Sequence, residues 1–445
     1  MIEIFHNTTV IILEMLSQLQ NQGMTHLIMI APMLMMVEIP YYLIILIGVT
    51  IHSYRHAYGI EMEPLSLPKV SCIVTCYSEG ESVTGTLLTL CEQLYRGPIE
   101  ILVMIDGAIQ NQETYQAAKR FVEQQSKHYP NRRLMVIPKW QRGGRVSSLN
   151  TGLALSTGEI VMALDGDTSF ENEMVQMAIR HFADPRVSAV SGALLVRNAE
   201  ESLVTRLQDL EYRLSLILAK IGLSEFNIIN NVSGAFGIFR RTVLLAAGGW
   251  NTGTAEDLDL TLRLKHYTKR NHQRIAFEPQ AIGFTDVPNT WIKFFKQRLR
   301  WDGDLIFLYL RKHWQTFRPR LIGWRNYLIL VWGGLLFQLI SPFVIAGYLA
   351  WLAFIYPLPQ FLAIFFFIFF FYLVITSTNL VFYLIVGSRQ PLKDIRFFIY
   401  IPVFTLFVCA LRLWNVVTTL NELFRLSHQE SAMAPWWVLK RPGKY

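Results

Sequence analysis

Cysteine is scarce. Cys72, Cys76, Cys91 and Cys409 are the only four in 445 residues, and no two form a CxxC pair. A small disulfide scaffold is excluded, and the four read as reduced, buried small hydrophobes. Charge is scarce too. Asp, Glu, Lys and Arg make up 17% of the chain and hydrophobic residues 52%, against roughly 25% charged in soluble domains. A disordered chain and a collagen-like fibre are excluded on that count. Neither GxGxxG nor a Walker A sequence occurs, so the commonest glycine-rich nucleotide signatures are missing. The longest gap is in charge: the 63 residues between Arg325 and Arg389 hold no Asp, Glu, Lys or Arg. That is enough for two membrane spans at about 20 residues each.

The turn Tyr356-Pro357-Leu358-Pro359 divides this gap, so spans are expected near 326–354 and 361–386. A third candidate runs from Phe397 toward Leu420, interrupted by Arg412 and Asn415. A charge at mid-membrane is costly, so Arg412 is expected to face protein, a cavity or headgroups. Near the N-terminus, residues 27–51 carry one charge, Glu38, and two prolines, Pro32 and Pro40. No Lys or Arg precedes this run, so it reads as a kinked span rather than a secretory signal. The stretch 4–19 ahead of it reads as an interfacial helix.

The net charge is +8. A basic balance suits nucleic acid, an anionic membrane surface or a phosphorylated substrate. Here the basic residues cluster beside apolar helices, which disfavours nucleic acid. Arg55 and the loop 389–396 are basic, whereas Glu3 and Glu14 precede the first span. The positive-inside rule then places residues 52–325 and 387–396 in the cytosol of a multi-pass inner-membrane protein. Lys440, Arg441 and Lys444 conflict with a full third C-terminal crossing. The expected units are 1–52 (interfacial segment and span), 53–289 (cytosolic domain), 290–325 (interface helices), 326–425 (C-terminal spans) and 426–445 (tail).

Residues 68–285 alternate strand and helix patterns. Strands are expected at 70–77, 99–105, 134–137 and 160–164, and helices at 81–93, 112–125 and 146–155. The pattern implies an α/β fold, a mostly parallel sheet with helices on both faces. Ligands in such sheets bind beyond the carboxyl ends of the strands. Two strands end there on acids, at Asp106-Gly107 and at Asp165-Gly166-Asp167. Asp-Gly is a common turn, so Asp106 alone is ambiguous. Two carboxylates two apart on a tight turn can meet one hard cation. Gly143-Gly144-Arg145 opens a helix, where backbone N–H groups can approach a phosphate. Glu256-Asp257 opens another helix, where the dipole alone would favour acids. Residues 291–314 mix aromatics with bases, as does a helix in the membrane interface; 204–221 is a second such helix.

Taken in order, these motifs resemble the membrane-embedded family-2 inverting glycosyltransferases, which include cellulose, hyaluronan and poly-N-acetylglucosamine synthases. The matching elements are Thr75–Glu79 after the first strand, Asp106, the Asp165-Gly166-Asp167 DxD, Glu256-Asp257 at the TED position, and Gln297–Trp301 as QxxRW. The layout and the tail around 418–441 are most similar to the poly-N-acetylglucosamine type. The resemblance implies a GT-A (Rossmann-like) catalytic domain plus transmembrane helices. It also implies nucleotide-sugar contacts from Tyr77, Glu79, Asp106, Arg145, Asp165 and Arg300, and a metal ligand in Asp167 for Mg²⁺ or Mn²⁺. Asp257, beside Glu256, would be the general base, and Gln297 and Trp301 would border the acceptor. Implied partners are a UDP-sugar donor, a polysaccharide or lipid-linked acceptor, membrane lipids and a small membrane subunit. The sequence departs from the pattern at Gly107-Ala108 after the first acid, at Arg145 where Lys is frequent, and at Ala255 in place of the TED threonine. Two rival readings stand beside this one: a non-processive transferase acting on a lipid, and a transporter with a cytosolic regulatory domain.

Overall fold

The computed structural model describes residues 2–22, 25, 28, 30–58, 67–251 and 255–425. The tail 426–445 and, of the expected N-terminal span 27–51, Leu27 and Met29 lie outside them.

Helix α1 (Ile2–Gln22) leads into the first apolar helix, Leu34–Tyr58. The chain then runs β1 (Val70–Cys76), α2 (Val83–Cys91), β2 (Ile99–Asp106), α3 (Gln112–Gln125), β3 (Arg132–Lys139), α4 (Gly144–Leu155) and β4 (Ile160–Asp165). It continues through β5 (Ser169–Phe170), α5 (Met174–Arg180), β6 (Val187–Val196), α6 (Leu203–Glu211), α7 (Ala219–Glu225) and β7 (Phe236–Arg240). After α8 (Arg241–Ala246), α9 (Glu256–Arg270) and β8 (Arg274–Thr285), helix α10 (Trp291–Ile306) leads to the C-terminal helices.

The strands form one sheet in the order β3-β2-β1-β4-β7-β6-β8-β5. Its first half is parallel, as the alternating pattern predicts: β1 pairs in register with β2 and β4, and β2 with β3. The second half is mixed, because β7 lies antiparallel to both β4 and β6, and β5 antiparallel to β8. Parallel register has a direct consequence for the site. Thr75 pairs with Asp165, and Cys76 with Ile105, so the acid-bearing strand ends share one edge.

Strand side chains alternate between two faces. Val70, Cys72, Val74, Ile101, Val103, Met162 and Leu164 point into one core. Ile73, Leu102, Met104, Val161 and Ala163 point into the other. The second core is continuous with Ile45 and Val49 of the first span and with Phe404 and Phe407 of the last apolar helix. The sheet and the membrane helices therefore share one hydrophobic interior. The seam is close. A Cβ added at Gly48 would stand 2.2 Å from the Gly222 carbonyl oxygen, and one at Gly222 would stand 2.2 Å from that of Ile45. Only glycine lets the first span and α7 approach backbone to backbone.

Among the described residues four helices are long and apolar enough to cross a membrane: Leu34–Tyr58, Trp324–Ile355, Leu358–Val386 and Pro391–Phe424. One buried polar network ties them together. Arg412 of the fourth pairs with Glu38 of the first. Arg412 also donates to Ser341 Oγ of the second at 3.3 Å. Tyr372 of the third donates to Glu38 Oε1 at 2.9 Å. Arg412 thus faces protein, and its partner is the lone acid of the N-terminal run. Helix α1 packs along the third of these helices, with Met15 against Ala363 and Phe367, a tertiary contact that its composition did not indicate.

Candidate active site

Four segments meet at the carboxyl edge of the parallel strands, and Arg145 is where they join. It sits in the first turn of α4, whose start follows from the Gly143-Gly144 turn. Its Nε donates to Glu256 Oε1 at 2.6 Å, from the N-terminus of α9. Its Nη1 donates to Thr75 Oγ1 at 2.8 Å and pairs with Asp165 Oδ1. Its Nη2 donates to the Gly234 carbonyl at 2.7 Å. One planar guanidinium therefore links β1, β4, the loop before β7 and α9, which suits the fixed fork of arginine and not the single point of a lysine. Burial pushes the Glu256 carboxyl up to about 7, reinforced by Asp257 and opposed by Arg145.

Asp257 is held next to Glu256. Its Oδ2 accepts from Asn231 Nδ2 at 2.9 Å and from the Gly234 amide at 3.0 Å, and its Oδ1 accepts from the Leu258 amide at 2.8 Å. Two residues on, Asp259 is fully buried and fixes the helix that carries this acid. It accepts from Lys312 at 2.7 Å, His313 at 2.8 Å and Arg263 at 2.8 Å. Burial alone would raise this carboxyl; the His313 and Lys312 hydrogen bonds hold it well below the ordinary range.

The DxD turn carries the second cluster. The Gly166 amide donates to the Thr75 carbonyl at 3.0 Å, and the Gly166 carbonyl accepts from Thr86 Oγ1 at 2.8 Å, which pins the turn. Burial and then the neighbouring Asp165 raise the Asp167 carboxyl. Glu79 belongs to the same acidic group. Burial raises it to about 7, and Asp167 and Asp165 add to the rise. Its Oε2 is buried without a partner.

Asp106 closes the end of β2. It is 5% exposed, and its carboxylate is consumed internally. Oδ1 accepts from the Gly143 amide at 2.9 Å and Lys139 Nζ at 3.1 Å, and Oδ2 from the Gly144 amide at 2.9 Å. The two amides of the Gly-rich turn are thus engaged by a carboxylate and are not presented to a phosphate. Asp106 braces the turn that aims Arg145. Tyr77, exposed at the same edge, stacks under the Arg142 guanidinium at 3.9 Å.

Gln297, Arg300 and Trp301 stand on α10 and share none of the hydrogen bonds described above. Trp301 is 38% exposed, with the Arg298 guanidinium 5.1 Å from its ring and paired with Glu211 at 2.5 Å. Gln297 Oε1 is buried without a partner. Burial pushes the phenol of the buried Tyr212 up to about 12, offset by Arg298 and reinforced by Glu211 and Asp167. Lys139, Asn231 and the Gly234 backbone were missed at the level of sequence. The strand register that sets Lys139 opposite Asp106 is the signal that reveals the first.

A mixed, Rossmann-like sheet of this order, with an acidic turn at the end of β4, is the GT-A fold of glycosyltransferases. Residues 68–303 match the family described as glycosyltransferase like family 2, and the chain belongs to it. It is 27% identical over 266 residues to a poly-beta-1,6-N-acetyl-D-glucosamine synthase of Staphylococcus epidermidis, covering 59% of this chain and 61% of that one. It is 28% identical over 264 residues to an N-acetylglucosaminyltransferase of Azorhizobium caulinodans, covering 57% of this chain and 64% of that one. The chain thus spans about three fifths of the length of the curated relatives it matches. A similar solved structure is a mannosyltransferase of Pyrobaculum calidifontis in complex with GDP-Man and Mn²⁺. It has a TM-score of 0.54 and 17% identity, covering 87% of this chain and 96% of that one, a likeness of fold.

Proposed function

We propose that this chain is a membrane-embedded inverting glycosyltransferase that moves a sugar from a UDP-sugar to a hydroxyl of a growing β-linked glycan, with poly-N-acetylglucosamine the product its relatives favour. The observation that carries this reading is the convergence on Arg145. That cation gathers Asp165 and Glu256 from segments 91 residues apart in sequence and sets Asp257 beside them. Residues 53–289 are the catalytic unit and 290–325 the interface helices. Residues 52–325 and 387–396 face the cytosol, where nucleotide sugars are found.

Asp257 is the base. Its Oδ2 is oriented by two donors, and the acceptor hydroxyl must meet such a base within hydrogen-bond reach to lose its proton as the new bond forms. Arg145 places that base and, with Arg300, faces charge developing on the departing diphosphate. Tyr77 offers a ring face for the nucleoside, and Trp301 an apolar face for a sugar. Direct displacement inverts the anomeric centre, so an α-linked donor yields a β-linked product.

The acids present fit a hard divalent cation. Asp167 receives a long 3.4 Å hydrogen bond from Thr168, and Glu79 Oε2 is unpartnered in the same acidic group. Among the described residues no group of three or more His, Cys, Asp or Glu could hold a metal ion unaided. Asp167 would therefore bind it together with donor phosphates, as is usual for Mg²⁺. When bound, the ion supplies Lewis-acid stabilisation of the diphosphate.

A second reading is supported by an apolar slot of about 220 Å³ lined by Leu207, Trp291, Phe295, Leu406, Phe407 and Leu411. It lies beside the QxxRW helix and suits the chain of a lipid-linked acceptor. The test is to supply the purified protein with separate UDP-sugars and Mg²⁺ or Mn²⁺, then measure UDP release and product length. Release with one donor and a long product supports the polymerase; a single added sugar on lipid supports the second reading. No release across the donor panel above the Asp257→Asn background overturns both.

A further inference from the structure

Helix α7 holds a lysine that no step above uses. Lys220 is 9% exposed and lies between the sheet and the first span. Its Nζ donates to Ser191 Oγ on β6 at 3.1 Å. The same hydroxyl accepts from the Ser233 amide at 3.3 Å and turns its own proton to the Gly192 carbonyl at 3.4 Å. The neighbouring Gly234 amide and the Asn231 side chain are the two donors on Asp257 Oδ2. Ammonium, hydroxyl, the 231–234 turn and the carboxylate therefore form one connected path.

A buried ammonium with a hydroxyl as its hydrogen-bond partner is costly unless an anion stands near. Asp257 is that anion: burial pushes the Lys220 amine down to about 8, and the Asp257 charge opposes the fall. The other charges on packed elements are engaged elsewhere. His52 and Arg55 of the first span pair with Glu225. Arg213 pairs with Asp209 and Asp394, and Arg274 of β8 with Asp184. Beside Asp257, Glu256 is paired with Arg145, and Asp259 with Lys312, His313 and Arg263.

We propose that Lys220 is a positioning residue for the transfer step, fixing the Asp257 carboxylate through Ser191 and the 231–234 turn and supplying the positive field that keeps it ready to accept a proton. The Gly48–Gly222 contact sets the height of α7, so the first membrane span takes part in placing this charge. The inference rests on Asp257 being the base.

The test uses the full chain in lipid nanodiscs, with UDP release followed from about pH 5.5 to 9.5. Lys220→Gln keeps a donor for Ser191 and removes the charge. Its acidic limb of kcat/KM should move up by about one pH unit, a loss that reaches roughly tenfold on the acid side of that limb and fades at higher pH. Ser191→Ala keeps the charge and removes the tether. It should lower kcat several-fold at every pH, with the donor KM and the limb unmoved. A folded Lys220→Gln with the wild-type limb overturns the proposal. So does Ser191→Ala with wild-type kcat, which decides the matter if Lys220→Gln does not fold. Wild-type turnover in Asp257→Asn would instead remove the base on which the inference rests, a failure read in a separate variant.

Discussion

Replacing Arg145 with methionine removes the cation and leaves its carboxylates in place. The Arg145 side chain is 14% exposed, Glu256 4% and Asp165 31%. Taking one partner from a buried ion pair costs about 3–5 kcal/mol, and the more exposed Asp165 contributes the smaller part. Glu256 can escape by taking up a proton, so the cost depends on pH. Its carboxyl is already raised by burial to about 7 with the arginine present. Without it the folded-state value rises further above the unfolded one. The native state then binds more protons than the unfolded state over a wider window, and stability falls as pH rises through that window by about 1.4 kcal/mol per unit. Wild-type stability should level off above about pH 7 as this group finishes titrating. The variant should keep falling toward pH 9. For an α/β unit of this size, a loss of about 3 kcal/mol corresponds to roughly 6–12 °C in melting temperature. Scanning fluorimetry of both proteins across that range reads the difference. Transfer should fall by roughly 10²–10³ in kcat/KM, as for loss of one preorganised electrostatic group. Arg145→Lys, which keeps charge without the fork, should lose about tenfold. Parallel melting curves for wild type and Arg145→Met, with unchanged turnover, would refute the reasoning.

Asp257→Asn should abolish transfer while donor affinity, measured by calorimetry with the intact UDP-sugar, stays within about threefold; wild-type turnover in that variant contradicts the base assignment. Asp167→Ala should cut activity at least roughly hundredfold at saturating donor and raise the Mn²⁺ concentration that gives half-maximal activity. An unchanged metal titration would show that the ion is held elsewhere. In the membrane, Glu38→Gln strands Arg412 and should cost about 3–5 kcal/mol in detergent melts. The double variant Glu38→Gln with Arg412→Met should be more stable than Glu38→Gln alone. If the double variant is worse, the pair does not behave as a buried ion pair.

How far the residues themselves reach depends on how local the governing physics is. The run Val70–Cys76 is a strand because consecutive β-branched and apolar side chains can be buried on both faces, and the structure ends it one residue before the expected boundary. Gln112–Gln125 is helical over the same residues that the spacing predicts. The acids at 106, 165 and 167 were visible as strand-end carboxylates, and the length and charge gap of 326–388 announced two spans. All of these are properties of neighbours within one element. The antiparallel insertion of β7 beside β4 was not legible, because strand pairing is settled by chain segments that approach only after folding.

The same division runs through the site. Composition, periodicity and motif order by themselves determined that this chain carries an α/β unit between apolar helices, with acids at the strand ends. Tertiary structure alone decided what those acids do. It turned Asp106 inward onto the Gly143-Gly144 amides, bridged Asp165 to Glu256 through Arg145, matched Glu38 to Arg412 and tied Lys220 to Ser191. The reason is physical: a side chain's charge state and partners depend on which distant groups share its desolvated space, and nothing in the local sequence states that distance.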